Sequence, residues 1–234
     1  MTHIPGNYQY KALYSGNPIQ KHWHRAKMQL ISTAAPPPQG SRVLDAACGS
    51  GIISYFLSSF KTAVLGVDIN PEAISFAKRT FKKKNLQFKC SSIFDITDRP
   101  FQRIYCIEAI EHFEENETEL LLKHFKTLIA PGGKLLVTTP NYASTWPIIE
   151  WGLDTFSLVP KLRDTQHRSK FTPKKLELLL MNNGWEPIEM GTFNGIAPFM
   201  APLSTTLSNL LCKRELKTRS RPWRNLIYAL ATPK

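Results

Sequence analysis

The sequence is short of several things, and each shortage removes a class of protein. No uninterrupted apolar run reaches the roughly 20 residues that a membrane-crossing helix requires. The opening residues Met1-Thr2-His3-Ile4-Pro5-Gly6 have no charged-then-apolar leader pattern. These absences lead us to expect a cytoplasmic protein. Only four cysteines are present, Cys48, Cys90, Cys106 and Cys212, far apart and without the paired spacing of a zinc site. Reduced core thiols are expected, not a disulfide framework. Acidic residues are scarce beside basic ones, 18 against 30, for a net charge of +12. That imbalance attracts acidic partners such as nucleic acid or an anionic membrane surface, and it is silent about fold.

What is present points to one α/β unit. At 234 residues and 42% hydrophobic content, the chain can bury one sizeable core with modest additions. It is organised around Val43-Leu44-Asp45-Ala46-Ala47-Cys48-Gly49-Ser50-Gly51, where a β-prone run breaks into a small-residue turn that feeds a helix-prone stretch, Ile52 to Phe60. Such a turn holds a nucleotide-like ligand at the carboxyl end of a buried strand. A second apolar strand, Ala63 to Val67, ends in Asp68, where a carboxylate can accept both hydroxyls of a ribose. The turn lacks the third glycine of a pyrophosphate-binding loop. Asp45, inside the first strand, would repel a phosphate and suits a cationic ligand.

With those two details the sequence resembles the class I S-adenosylmethionine-dependent methyltransferases. The resemblance continues through Gly66-Val67-Asp68-Ile69-Asn70-Pro71, Cys106-Ile107-Glu108-Ala109-Ile110-Glu111-His112-Phe113, and Leu128-Ile129-Ala130-Pro131-Gly132-Gly133 into Lys134 to Asn141. It is nearest to the ubiquinone-pathway O-methyltransferases in the run from Cys106 to Phe113. It implies a Rossmann-like α/β fold: a seven-stranded, mostly parallel sheet with helices on both faces and an antiparallel C-terminal edge strand. The alternation of strand, turn and helix independently predicts parallel pairing. We divide the chain into an N-terminal arm and covering helix (1–38) and a methyltransferase domain (39–234). Within the latter lie a substrate-side insert at about 141–171 and an apolar, basic insert at about 195–224.

For the cofactor S-adenosylmethionine, the resemblance implies Asp68 and Ile69 at the ribose side, Ser92 and Ile93 near the adenine, and the turn of Ala47, Gly49 and Gly51 beside the methionyl part. Asp45, Cys106 and Ile107 complete the set. Arg25, in a helix expected over Asn17 to Ala35 and stopped by Pro36-Pro37-Pro38, is the candidate for the methionine carboxylate; a solvated basic face is the alternative. Similar enzymes often carry Asp where Ser92 stands, which leaves open whether Asp95 substitutes. Lys82-Lys83-Lys84 is read as a solvated helix terminus. The first residues, Met1 to Gly16, have no regular period and read as a flexible arm.

Candidate chemistry follows the fourth strand. Glu108 and Glu111 or His112 are spaced to share one face of a helical turn, and a Glu or His there can accept the proton of a substrate hydroxyl. His112 is the favoured base, with Glu111 beside it; in the ubiquinone-pathway enzymes such residues also hold a divalent ion, so a metal requirement stays open. The alternative is that they only cap the loop. His167, before Phe171-Thr172-Pro173, is a second candidate base, against a capping or solvent-facing histidine. Trp146, Trp151 and Phe156 offer aromatic surface, and Asp154 and Asp164 ionisable groups. In the last insert an apolar run from Ile196 to Leu211 precedes Lys213, Arg214, Lys217, Arg219, Arg221 and Arg224, opposed only by Glu215. That pattern fits an interfacial anchor on an anionic membrane or, slightly favoured, a helix packed on the sheet edge. The expected function is methyl transfer to a small, apolar or lipid-linked acceptor at a hydroxyl. The alternatives are an RNA or protein methyltransferase, for which no appended recognition domain is visible, and a non-catalytic protein keeping the fold.

Overall fold

The computed structural model describes residues 5–98, 100–156, 162, 166–218 and 221–234. Asp164, Arg219 and the first four residues of the expected arm lie outside them. Seven strands, β1 (Arg42–Ala46), β2 (Ala63–Asp68), β3 (Leu86–Cys90), β4 (Phe101–Ile107), β5 (Ile129–Pro140), β6 (Trp185–Phe193) and β7 (Leu226–Pro233), form one sheet in the order β3-β2-β1-β4-β5-β7-β6. The first five pair in parallel; β7 is antiparallel to both β5 and β6. The expected antiparallel C-terminal strand is present, one place in from the edge, which β6 forms. The strand order reverses between β1 and β4, which is where ligands settle in open α/β sheets.

Alternate residues of each strand feed two cores. Val43, Tyr105, Leu136 and Tyr228 pack with one set of helices; Leu44, Ile104, Val137 and Ala229 face the other. The first side is covered by α1 (Tyr8–Tyr14), α2 (Pro18–Ala34), α3 (Ile52–Leu57), α4 (Pro71–Thr80), α8 (Ala197–Met200) and α9 (Thr205–Lys217). The second is covered by α5 (Glu115–Leu128) and α7 (Pro173–Asn182). The remaining helix, α6 (Trp146–Thr155), sits beyond the end of β5.

Local chemistry explains the helix starts. The Asn17 side chain accepts from Gln20 N while Gln20 returns the bond, a reciprocal cap that opens α2. Asn70 and Thr172 cap α4 and α7, each followed by a proline whose missing N–H is not needed there. In α5 the buried stripe is Leu121, Leu122, Phe125 and Leu128. Leu120, next to it in sequence, is 56% exposed, one helical step off the face. Two readings are corrected. The segment expected to lack regular structure contains α1, whose Ala12 and Leu13 are buried. And Lys82-Lys83-Lys84 lies past the end of α4, which stops at Thr80. Cys48, Cys106 and Cys212 are buried and Cys90 exposed, all free.

Candidate active site

At the strand ends beside the order reversal the backbone takes unusual angles, as it also does at Lys61 and Asn194. Ala47, directly after β1, has φ 57°, and Glu108, directly after β4, has φ 49°. Both are non-glycine residues in the left-handed region. β1 and β4 are neighbours, with Ala46 opposite Cys106, so the two positions stand side by side. Such conformations cost about 1–3 kcal/mol each and persist where surrounding structure enforces them, most often at functional sites.

The turn after Ala47 needs its glycines. Gly51 has φ 82°, and a Cβ there would come within 2.7 Å of the Phe88 ring; at Gly49, φ 52°, it would meet the Gln9 side chain at 2.5 Å. The turn is braced by Asp68, whose Oδ2 accepts from Gly49 N at 2.7 Å and whose Oδ1 accepts from Asn70 N at 2.8 Å. Gln9 of α1 lies over it, its Oε1 accepting from Ser50 N at 3.2 Å. Beneath, Asp45 is buried and accepts from Ser54 Oγ at 2.5 Å. Burial raises its pKa to about 7, an effect partly offset by that hydrogen bond and reinforced by the charge of Asp68. An acid so placed gains from a cation above it.

The rest of the expected cofactor set is spread along the same rim. Ile69 is 75% exposed after β2. Ser92 is half-buried and its Oγ accepts from Phe94 N, capping the turn Ile93–Asp95, while Asp95 is exposed. Cys106 and Ile107 are buried at the end of β4, floor and not wall.

The placing of Arg25 agrees with the alternative reading, a solvated basic face. The residue is exposed, because two residues along a helix turn it about 200° from the inward face. The residue that does turn inward is Lys27, missed in the sequence reading. It is buried and forms an ion pair with Glu108, whose other oxygen accepts from Trp23 Nε1 at 2.8 Å. This corrects Glu108. With its left-handed backbone it points toward α2 and shares no helical face with Glu111 and His112, which lie in the separate turn Ile110–His112.

Glu111 and His112 are instead joined by His167. One ligand atom from each of the three lies within 4.8 Å of the others. Glu111 is 1% exposed and its Oε2 has no hydrogen-bond partner. Burial raises its pKa to about 7, moderated by His167 and pushed further by Glu108. His112 keeps an open edge, yet desolvation lowers its pKa. Its Nδ1 lies 2.8 Å from the carbonyl oxygen of Gln166, and Nδ1 of His167 lies 2.6 Å from Glu150 Oε1. An N–H on each Nδ1 satisfies both acceptors and leaves each Nε2 with a bare lone pair. Glu150, also missed, is buried and accepts from Tyr142 Oη at 2.7 Å too. Trp146 packs 6.1 Å from His167 and 5.3 Å from Trp23, ring centroid to centroid, and so links α2 to the cluster.

Residues 19–190 match the family model described as a methyltransferase domain. The chain belongs to that methyltransferase family. The expectation of an S-adenosylmethionine-dependent methyltransferase is borne out. Ubiquinone biosynthesis O-methyltransferase from Xanthomonas axonopodis pv. citri is 26% identical over 182 residues, 74% of this chain and 71% of that protein. The protein of the same name from Coxiella burnetii is 29% identical over 157 residues, 64% of this chain; the chain spans 63% of its length. Among solved structures, magnesium protoporphyrin IX methyltransferase from Synechocystis with bound SAH superposes with a TM-score of 0.63 at 14% identity, over 94% of this chain and 88% of that one. A Pyrococcus horikoshii protein gives 0.66 at 17% identity over 99% and 100%. These two likenesses speak for the fold.

Proposed function

We propose that this methyltransferase acts on a hydroxyl of a small, apolar or lipid-linked acceptor. The observation that carries the reading is the convergence of Glu111, His112 and His167 beside the aromatic wall of Trp23 and Trp146. A hydroxyl oxygen must lose its proton as it is alkylated, and two imidazoles with bare Nε2 atoms are fit to take it. The names of the O-methyltransferase relatives agree with this choice of atom.

When bound, S-adenosylmethionine supplies a methyl group activated on a sulfonium. The residues fit such a ligand: two glycines make a turn that any Cβ would fill, Asp68 presents a carboxylate at the next strand end, and Asp45 lies buried near the end of β1 beneath the turn. Asp68 and Ile69 would hold the ribose side, Ser92 and Ile93 the adenine, and the turn from Ala47 to Gly51 the methionyl part, with Lys27 the buried cation on α2.

His112, or His167 beside it, accepts the acceptor's one proton at Nε2, and Glu150 is a positioning residue that fixes the ring of His167 through Nδ1. Holding the acceptor in line contributes more than the base, whose share is roughly a hundredfold or greater. Glu111 with the two histidines is also a donor set of one carboxylate and two imidazoles, which suits a divalent transition metal; these three residues would hold the ion.

The test is a transfer assay with methyl-labelled cofactor over a panel of phenols, catechols and long-chain alcohols, run beside RNA and bulk protein. Label on a hydroxylated small molecule, reduced at least a hundredfold in a His112→Ala, His167→Ala double variant, supports the reading. Label on RNA or protein alone would replace it.

A further inference from the structure

We infer that the α8–α9 hairpin is a docking surface for an anionic lipid bilayer, placed on the rim through which the acceptor enters. The argument starts from strand direction. β5 ends at Pro140, which pairs with Leu226 at the start of β7, and β6 ends at Phe193, which pairs with the same Leu226. Both strands therefore release the chain on one rim, the rim where β1 and β4 end. The α6 segment and the α8–α9 hairpin both rise from it. They also meet the same part of α2: Trp146 through Trp23, and Ser208 Oγ through His22 Nδ1 at 2.6 Å.

The hairpin has an inner and an outer face. Ser208, Cys212, Glu215 and Leu216 are buried, so the expected packing against the body of the fold is real. The outer side is apolar at one end, with Ile196 54%, Phe199 49%, Leu203 77% and Leu210 63% exposed. It is basic at the other end, with Lys213, Arg214 and Lys217 exposed in the last turns of α9 and Arg221 exposed beyond it. Leu207, Leu210, Arg214 and Lys217 recur at three and four residues, so grease and charge share one helical face.

The acid that stands among these charges in sequence does not offset them in space. Glu215 is turned inward, where its carboxylate accepts from the backbone N–H groups of Gly195, Ile196 and Ala197 at 2.9, 3.0 and 3.3 Å. Arg224 is withdrawn with it, donating to the carbonyl oxygens of Thr192 and Glu215. Among the described residues, no ion pair involves Lys213, Arg214, Lys217 or Arg221. The surface is thus a patch of exposed leucine, isoleucine and phenylalanine bordered by uncompensated cations. A bilayer with acidic headgroups matches both halves, whereas nucleic acid matches only the second. The docking itself stands apart from the acceptor reading; its use in delivering a lipid-linked acceptor rests on that reading.

The experiment is vesicle flotation of the full chain with phosphatidylcholine alone and with phosphatidylcholine containing one third phosphatidylglycerol, at low and high salt. Binding to the acidic vesicles only, weakened by salt, is expected. Lys213→Gln, Arg214→Gln, Lys217→Gln together should lower partitioning on the order of a hundredfold, at a few-fold per charge, and Leu203→Ser with Leu210→Ser should lower it independently. Both variants should keep the wild-type melting temperature and cofactor affinity. Absence of flotation with acidic vesicles overturns the inference, as does flotation that neither variant changes. So does binding to RNA, lost in the triple variant, without binding to vesicles. None of these readouts needs methyl transfer, so they stand whether or not a hydroxyl acceptor is found.

Discussion

Asp68→Ala separates two tasks that one carboxylate performs. In the structure its oxygens accept from Gly49 N and Asn70 N, yet each oxygen has a second lone-pair direction, and these remain for two ribose hydroxyls. Hydrogen bonds to a charged acceptor contribute about 1.5–3 kcal/mol each. Losing two with the cofactor gives about 3–6 kcal/mol, on the order of 10² to 10⁴ in Kd. Losing the two backbone bonds leaves part-buried N–H groups that water partly satisfies, for about 1–3 kcal/mol, or roughly 2–12 °C in a chain of this size. Calorimetric titration with S-adenosylmethionine and S-adenosylhomocysteine reads the first number and a thermal melt the second. Asp68→Asn, which keeps one acceptor oxygen, should fall between. A folded Asp68→Ala protein that binds either ligand within threefold of wild type would refute the assignment of this carboxylate to the ribose.

Three other outcomes follow from the geometry. Lys27→Met leaves the Glu108 carboxylate, 19% exposed, without its cation; about 3 kcal/mol of stability should be lost, the low end for breaking a buried pair, and Lys27→Met with Glu108→Gln should recover part. A urea titration showing less than about 0.5 kcal/mol would mean the pair is inert. Asp45, raised to about 7 in the fold and near 4 when unfolded, retains a proton in the native state that the unfolded chain gives up. Stability must therefore decline as pH climbs from about 4 to about 7 and then level off, and Asp45→Asn should remove that part of the slope; equal melting-temperature profiles for the two proteins would sink the argument. Imidazole nitrogen spectra should show His167 carrying its proton on Nδ1, and Glu150→Ala should abolish that preference; an Nε2-protonated ring in the wild type would remove Glu150 as its positioning residue.

The parts of the site that were legible in sequence are those whose residue type carries the chemistry. Glycine and strand hydrophobicity mark the turn at Gly49–Gly51, where positive φ is combined with close approach to Gln9 and Phe88, and an aspartate closing the next strand marks Asp68. Direction was harder to read. Arg25 and Lys27 are equally basic, and only helical phase tells them apart: Lys27 is three and four residues before buried Leu30 and Ile31 and four after Trp23, whereas Arg25 is half a turn away. That signal was available. Glu150 had a weaker one, four residues after buried Trp146. The direction of Glu108 had none, since a left-handed φ on a glutamate leaves no trace in composition. The withdrawal of Glu215 and Arg224 from the basic segment was likewise hidden, because it depends on loop amides 18 to 20 residues away.

Because β7 runs against its neighbours, the sheet divides its labour between two halves. The β1–β3 half ends in tight turns, and Gly51 in the first of them and Gly66 within β2 leave no room for one further carbon atom beside Phe88. The β5–β7 half ends in open crossings at the same rim, and lengthening a surface crossing adds only about 0.6 kcal/mol of closure entropy per doubling. A longer crossing on that side would leave the packing of the glycine turn against Phe88 untouched. For an engineer the glycine turn is the place to leave alone, and so are Trp146, Glu150 and His167 inside the crossing that follows β5.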